Sequence, residues 1–304
     1  MAAISFETYP IEDLDRPLFI LAFKGLFDMG EAATGAVDWL SMIHQSKPAA
    51  SIDPELLFDF QEVRPEVRIG ANGIREIQWP ANNVVWARTE PGNRDLVLLS
   101  GVEPNLRWRS FSETIHEIAS HAGIAQVVTL GASLATVPHT RAFPVIASTA
   151  DEDLAEELNI SLPTYEGPTG LIGSIHEHMN AKGISSVSLT VRIPHYVPGA
   201  PSPKGTSALL AALEQYLEVP TEHAGLADDI RDWESRVHRA LEEDEEVKAY
   251  VTELETKSDE APEVLLDSSG MTKEIEDFLR DRKLPNVEKP GTSGPTDPHP
   301  EVDG

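Results

Sequence analysis

The sequence predicts an α/β sandwich with a mostly parallel central sheet, followed by a helical extension and a tail without regular structure. Three observations carry this expectation. Between Leu18 and Leu217 short apolar runs alternate with stretches of helical periodicity, the pattern of repeated strand and helix. The runs Leu96-Val97-Leu98-Leu99 and Val127-Val128 with Leu130 lack polar alternation, which suits parallel strands covered on both faces. The helical stretch FSETIHEIASHAG lies between them, at the spacing of a right-handed crossover unit. Loops after the two strands then open on one carboxyl edge, where α/β folds place ligands.

Taken from the N-terminus, Leu18 to Phe23 reads as a buried first strand that Gly25 ends. Ala32, Ala33, Ala36, Val37, Leu40 and Ile43 then recur at helical spacing. Gly25 is read as a tight turn, with an anion near the helix start as the alternative. Ala50–Phe60 and Arg64–Trp79 are punctuated by Pro54, Pro65, Gly70 and Gly73 and are expected to be irregular or edge strands. Val84 to Arg88 alternates as a strand. Arg88, Arg94, Arg107 and Arg109 are expected to pair with carboxylates.

Beyond the crossover unit, Ala142–Ser148 reads as a strand and DEDLAEELNI as a short helix with acids in its first turn. Pro168 and Thr169 open a helix through GLIGSIHEHMNAKG; SVSLTVRI is a strand; Thr206–Leu217 is an amphipathic helix. The α/β domain is thus placed at residues 1–221. An acidic helical subdomain is placed at 222–283, because Leu226, Ile230, Trp233, Val237 and Leu241 form one stripe that Val247, Val251 and Leu254 continue. From Glu222 onward there are 24 acids against 10 bases, a net of −14. Residues 284–304 are rich in Pro and Gly and are expected to be disordered.

Composition excludes several functions. The net charge of −27 argues against a nucleic-acid surface, and the absence of cysteine removes disulfides, thiol catalysis and thiolate metal sites. The first residues lack a basic region followed by an apolar core, and no apolar run is long enough for a bilayer. A soluble, cytoplasmic protein is expected, with no membrane partner and no cofactor.

Chemical motifs are weak. His116 and His121 are five residues apart, about 140° around a helix, so they cannot share a zinc as an i, i+4 pair does. His176 and His178 fail for the same reason, and no metal site is expected. Gly131-Ala-Ser-Leu-Ala135 looks like a nucleophile elbow with its last glycine missing. A triad of Ser133, His139 or His195, and Asp151 can be drawn but not argued, and Gly131 is read as a sharp exit from the sheet.

Longer stretches say more than these motifs. FKGLFDMGEAA, LLSGVEPNLRW, HAGIAQVVTLGA followed by PHTR, GPTGLIG, and VRIPHYVPGAPSPKGTSALLAALE occur in consistent order over about residues 15–220. Together they resemble the proteasome assembly chaperone family, of the second-subunit type and especially its actinobacterial branch. The resemblance implies a sandwich similar to nucleoside phosphorylases and related hydrolases, self-association as a homotrimer, and an assembly role toward another protein complex. It supplies no catalytic residue. Some members resemble one another in a terminal hydrophobic-Tyr-any tail; Glu301-Val-Asp-Gly304 departs from it, so docking on a proteasome ring through this tail is not expected.

Three readings of function follow: an interaction or assembly protein; a small-molecule-binding, hydrolase-like or phosphorylase-like enzyme using the carboxyl-edge loops; or an oligomeric scaffold in which those loops are subunit contacts. The candidate ligand or interface residues are Gly25, Glu103, Asn105, Arg107, His139, Arg141, Gly167, Thr169, His195 and Lys204. For the tail, ordering each residue costs about 1–2 kcal/mol of backbone entropy, which so little apolar burial cannot offset. Deleting Pro290–Gly304 is therefore expected to leave the thermal midpoint and the oligomeric mass unchanged, as calorimetry and light scattering can check.

Overall fold

A computed structural model describes residues 5–11, 13–70, 73–197, 201–241 and 245–260. The segment from 261 onward, including the expected tail at 284–304, lies outside the described residues. The chain starts with β1 (Phe6–Thr8), β2 (Leu18–Lys24), α1 (Ala32–Ile43) and β3 (Lys47–Ile52). A small ribbon, β4 (Glu66–Ile69) with β5 (Arg75–Gln78), precedes β6 (Asn82–Ala87) and β7 (Leu96–Val102). Next come α2 (Trp108–His121), β8 (Gln126–Ala135), β9 (Val145–Thr149) and α3 (Glu152–Leu158). The chain continues through α4 (Leu171–Ala181), β10 (Ser185–Pro194) and α5 (Pro203–Leu217) to α6 (Ala227–Leu241) and α7 (Glu245–Glu260).

Eight strands form one sheet in the order β1-β3-β6-β7-β2-β8-β10-β9. The four central strands β7, β2, β8 and β10 run parallel, and β6, β3, β1 and β9 join antiparallel at the flanks. The expected α/β sandwich is therefore present, with its parallel part at the centre.

The apolar runs explain the layers. In β2, Leu18, Ile20 and Ala22 point into one core and Phe19, Leu21 and Phe23 into the other. The first face is covered by α1, α5 and α6, and the second by α2 and α4. Trp233 and Val237 of α6 are part of the first core, so α6 packs on the sandwich itself.

One turn differs from its sequence reading. Gly131 does not release the chain from the sheet; β8 runs on to Ala135. Pairing of β2 with β8 ends at Leu21 and Thr129, and the returning loop takes over the vacated edge, with Ala132 N–H donating to the Phe27 carbonyl at 2.6 Å. A Cβ on Gly131 would lie 3.6 Å from that carbonyl and 3.3 Å from Thr190 Oγ1. Glycine there admits the loop; it does not turn the strand.

The helix N-terminus proposed for an anion is also occupied. Asp28 Oδ1 accepts from the backbone of Ala33 and Thr34 at 2.9 and 3.1 Å, and its Oδ2 from the Thr34 hydroxyl. The start of α1 is thus capped by the chain's own carboxylate, although burial raises the pKa of Asp28. Arg94 departs from its expected ion pair as well: it donates to the Arg16 carbonyl and to Gln126 Oε1, partners that cost less to bury than a carboxylate.

On α4, His176 meets Thr129 of β8 at 2.8 Å, and burial pushes its pKa down to about 4. The native state therefore resists the proton that the unfolded chain accepts near pH ~6.5. His176 costs nothing above that pH, and stability falls as pH drops from about 6.5 toward about 4, by roughly 3 kcal/mol in all. Urea midpoints at pH 7 and pH 5 should differ less in His176→Gln than in the parent chain.

Candidate functional site

The loops after β8 and β10 meet beneath α6 and α7. His139, only 3% exposed, presents its backbone N–H to the Tyr196 hydroxyl at 2.7 Å, and its Nδ1 lies 2.9 Å from the same oxygen. Burial, followed by the nearby Lys204 charge, lowers the His139 pKa. Burial also pushes Tyr196 up to about 12. A neutral imidazole and a protonated phenol fit this geometry: Tyr196 accepts the amide proton and donates its own to Nδ1.

Lys204, in the first turn of α5, joins this loop to α6. Its Nζ donates to the His139 carbonyl at 2.7 Å and to Glu234 Oε1 at 2.5 Å, and lies 5.2 Å from the centre of the Phe143 ring. His195 Nδ1 is 3.1 Å from the Ala135 carbonyl, and its ring meets Tyr196 and Tyr250 edge-on. Arg141 is held by α7 in a two-pronged pair, Nε and one terminal nitrogen donating to Asp259 at 2.7 and 2.8 Å. That pair holds the Asp259 carboxyl below its ordinary range. Thr140 donates to Glu255 at 2.5 Å. Between this loop and the two helices lies a cavity of about 580 Å³, lined by His139, His238, Leu241, Lys248, Val251 and Glu255 among others.

A second group sits where β2 and β7 end. Gly25 faces Glu103 so closely that a Cβ would stand 2.5 Å from a carboxylate oxygen. The other oxygen is 3.9 Å from a Cβ built at Gly170, the residue before α4. Thr169 lies over Gly173, and Gly167 lies beside the Tyr165 hydroxyl. Asn105 Oδ1 accepts from the Asp59 backbone at 3.3 Å, and Arg107 adopts a left-handed conformation just before α2, its carbonyl accepting from Phe111. The ten residues chosen from sequence thus form two groups, one clasped by the C-terminal helices and one at the start of α4.

The serine constellation does not assemble. Ser133 is buried inside β8 beside Arg192 of β10, and its hydroxyl makes no hydrogen bond. Asp151 instead caps α3 and accepts from Ser185 at 2.7 Å. His116 and His178 do meet, their rings 5.7 Å apart, but among the described residues no group of three or more potential ligands could hold a metal ion.

Sequence reasoning missed Tyr196, Glu234, Tyr250, Glu255 and Asp259. Tyr196 adjoins His195 and could have been drawn in with it. The others lie on acidic helices where nothing local distinguishes them from solvated residues.

The profile of the PAC2 family matches residues 22–241, through the end of α6. The chain belongs to the PAC2 family. A PAC2 family protein from Streptomyces avermitilis is 40% identical, with a TM-score of 0.72, over 77% of this chain and 99% of that one. A proteasome-assembly chaperone homologue from Mycobacterium tuberculosis is 37% identical, with a TM-score of 0.70, over the same shares of the two chains. An archaeal proteasome activator from Pyrococcus furiosus shares the fold at 17% identity and a TM-score of 0.64, covering 80% of this chain and all of its own. No curated protein matches. Among the described residues no helix is long and apolar enough to cross a membrane.

If Arg141 is what ties α7 to the β8 loop, Arg141→Ala should speed amide exchange across residues 245–260 while the central strands keep their protection. Added salt should move the parent chain in the same direction.

Proposed function

We propose that this PAC2 protein is a self-associating interaction protein with an assembly-chaperone-like role, cytoplasmic, and acting on another protein assembly rather than on nucleic acid. One observation carries the reading. Eight of the twelve large apolar side chains that are exposed among the described residues lie on the ribbon and the carboxyl-edge loops: Leu26, Phe27, Val67, Ile69, Ile74, Ile77, Trp79 and Leu106. The carboxyl edge is where a related enzyme would bind substrate, and several exposed apolar side chains there suit a protein partner better. The Mycobacterium relative described as a proteasome-assembly chaperone homologue supports the same reading.

In this reading residues 1–221 form the interaction domain and 222–283 an acidic helical subdomain, within which α7 is joined to the β8 loop through Arg141. Glu103, Asn105 and Arg107 serve as interface loops. His139, Arg141, His195 and Lys204 serve mainly to hold the helices in place. Native mass spectrometry should give about three times the chain mass of 33.2 kDa, and a mass of one chain throughout the micromolar range would refute self-association.

The cavity of about 580 Å³ favours a second reading, a small-molecule site or a hydrolase-like or phosphorylase-like enzyme. Its size is within the range of ligand pockets, and imidazoles of His139 and His238 line it. Ligand-dependent thermal shifts abolished by filling the cavity with Thr252→Trp would favour this alternative.

A further inference from the structure

The β4–β5 ribbon is exposed at every residue. Its pairing sets Val67 opposite Ile77 and Ile69 opposite Arg75, so those four side chains share one face. Glu66, Arg68, Glu76 and Gln78 take the other. A two-stranded ribbon is marginal by itself in water, and an apolar face left open on it is a surface for a partner. Trp79 at its base is anchored edge-on against Phe60, 4.8 Å between ring centres. From Arg64 to Trp79 the chain carries three arginines and two glutamates, a net of +1 in a protein of −27.

The far edge of the sheet has the opposite character. From Asp151 to Glu166, through α3 and the segment after it, there are six acids and no base. Residues 162–169 are exposed throughout, and Leu162 and Tyr165 are 46% and 52% exposed. The ribbon leaves the sheet between β3 and β6, whereas α3 follows β9, the terminal strand on the other side. One end thus offers apolar side chains with Arg75, and the other offers apolar side chains among carboxylates.

We infer that the apolar face of the ribbon docks on the α3–Tyr165 edge of a second copy of this chain, head to tail. The argument rests on the self-association reading and adds its surface and geometry. Complementary charge sets register and excludes the like pairings, ribbon to ribbon and acidic edge to acidic edge. Because the two patches differ, each copy keeps one of each to offer, and such a contact repeats until it closes into a ring.

Charge exchange on the full chain tests this, read by sedimentation velocity at low salt with the thermal midpoint as a check on folding. Arg75→Glu, the charge on the docking face, should weaken association by at least about tenfold. Glu156→Arg with Glu157→Arg, on the other surface, should do the same. Combining the substitutions of both variants in one chain should restore association, since the acidic ribbon of each copy then meets the basic edge of the next in a ring of any number. An oligomeric parent chain whose mass neither reversal changes would overturn the head-to-tail contact while leaving self-association standing, and would assign the ribbon to a different partner. Loss of association in both variants without recovery in the combined variant would also overturn it. A parent chain that is monomeric would remove both readings together.

Discussion

The structure depends on the burial of β2 from both sides. This strand pairs in parallel with β7 and β8, and its residues from Leu18 to Ala22 are fully buried. A strand that is hydrogen-bonded along both edges and covered on both faces leaves no room for polar side chains, which explains its unbroken apolar sequence. Helices must then cover both faces: α1 and α5 on one, α2 and α4 on the other. Polar and charged chemistry is displaced to the strand ends. At the carboxyl end β2 gives way to the Gly25–Asp28 loop, which both caps α1 and completes the edge of β8.

The C-terminal helices use part of that edge. Trp233 and Val237 enter the core through α6, while α7 is held by polar contacts to the β8 loop and by its own buried Val251 and Leu254. The two helices therefore differ in how they are attached. Displacing α6 would expose core surface, so it behaves as part of the sandwich. α7 is joined through Arg141, Thr140 and His195, contacts that are weakened by salt or competed for by solvent. Lys204 lies between, bonded to the β8 loop through the His139 carbonyl and to α6 through Glu234. A polar cluster bonded in this way serves position more readily than chemistry, because its donors and acceptors are already occupied.

The fold was largely legible because its signals are local. Continuous apolar runs marked β2, β7 and β8, the alternating SVSLTVRI marked β10, and recurring apolar positions marked α1, α2, α5 and α6. Where long-range packing decided the outcome, the sequence was silent. Gly131 looks like a strand end, and only the loop carrying Phe27, about a hundred residues earlier, shows why β8 continues. Arg64–Trp79 was left between irregular chain and edge strand because Pro65, Gly70 and Gly73 punctuate it, and it forms the two short strands of the ribbon. The candidate residues were chosen as residues of the carboxyl-edge loops; Gly25, Glu103, Asn105, Arg107, His139, Arg141 and His195 follow strands, whereas Gly167 and Thr169 precede α4 and Lys204 lies in α5. Their division into two groups depends on Glu234, Glu255 and Asp259, which are acids on acidic helices and carry no local mark of their role.

An enzyme and an interaction protein built on this sandwich would differ chiefly at the carboxyl edge. An enzyme needs groups that remain unsatisfied until substrate arrives, held in a concave site. Here Asp28 is engaged internally as the cap of α1, and Glu103 packs against Gly25. The unsatisfied property of this edge is instead apolar area, on the loops and on the ribbon that projects beside them. Water penalises exposed apolar area in proportion to its extent, without regard to direction. Such a surface is relieved by another surface of matching shape more completely than by a small polar ligand. The ribbon meets that requirement in an economical way, because a hairpin inserted between β3 and β6 can present an apolar face without disturbing the pairing of the strands on either side.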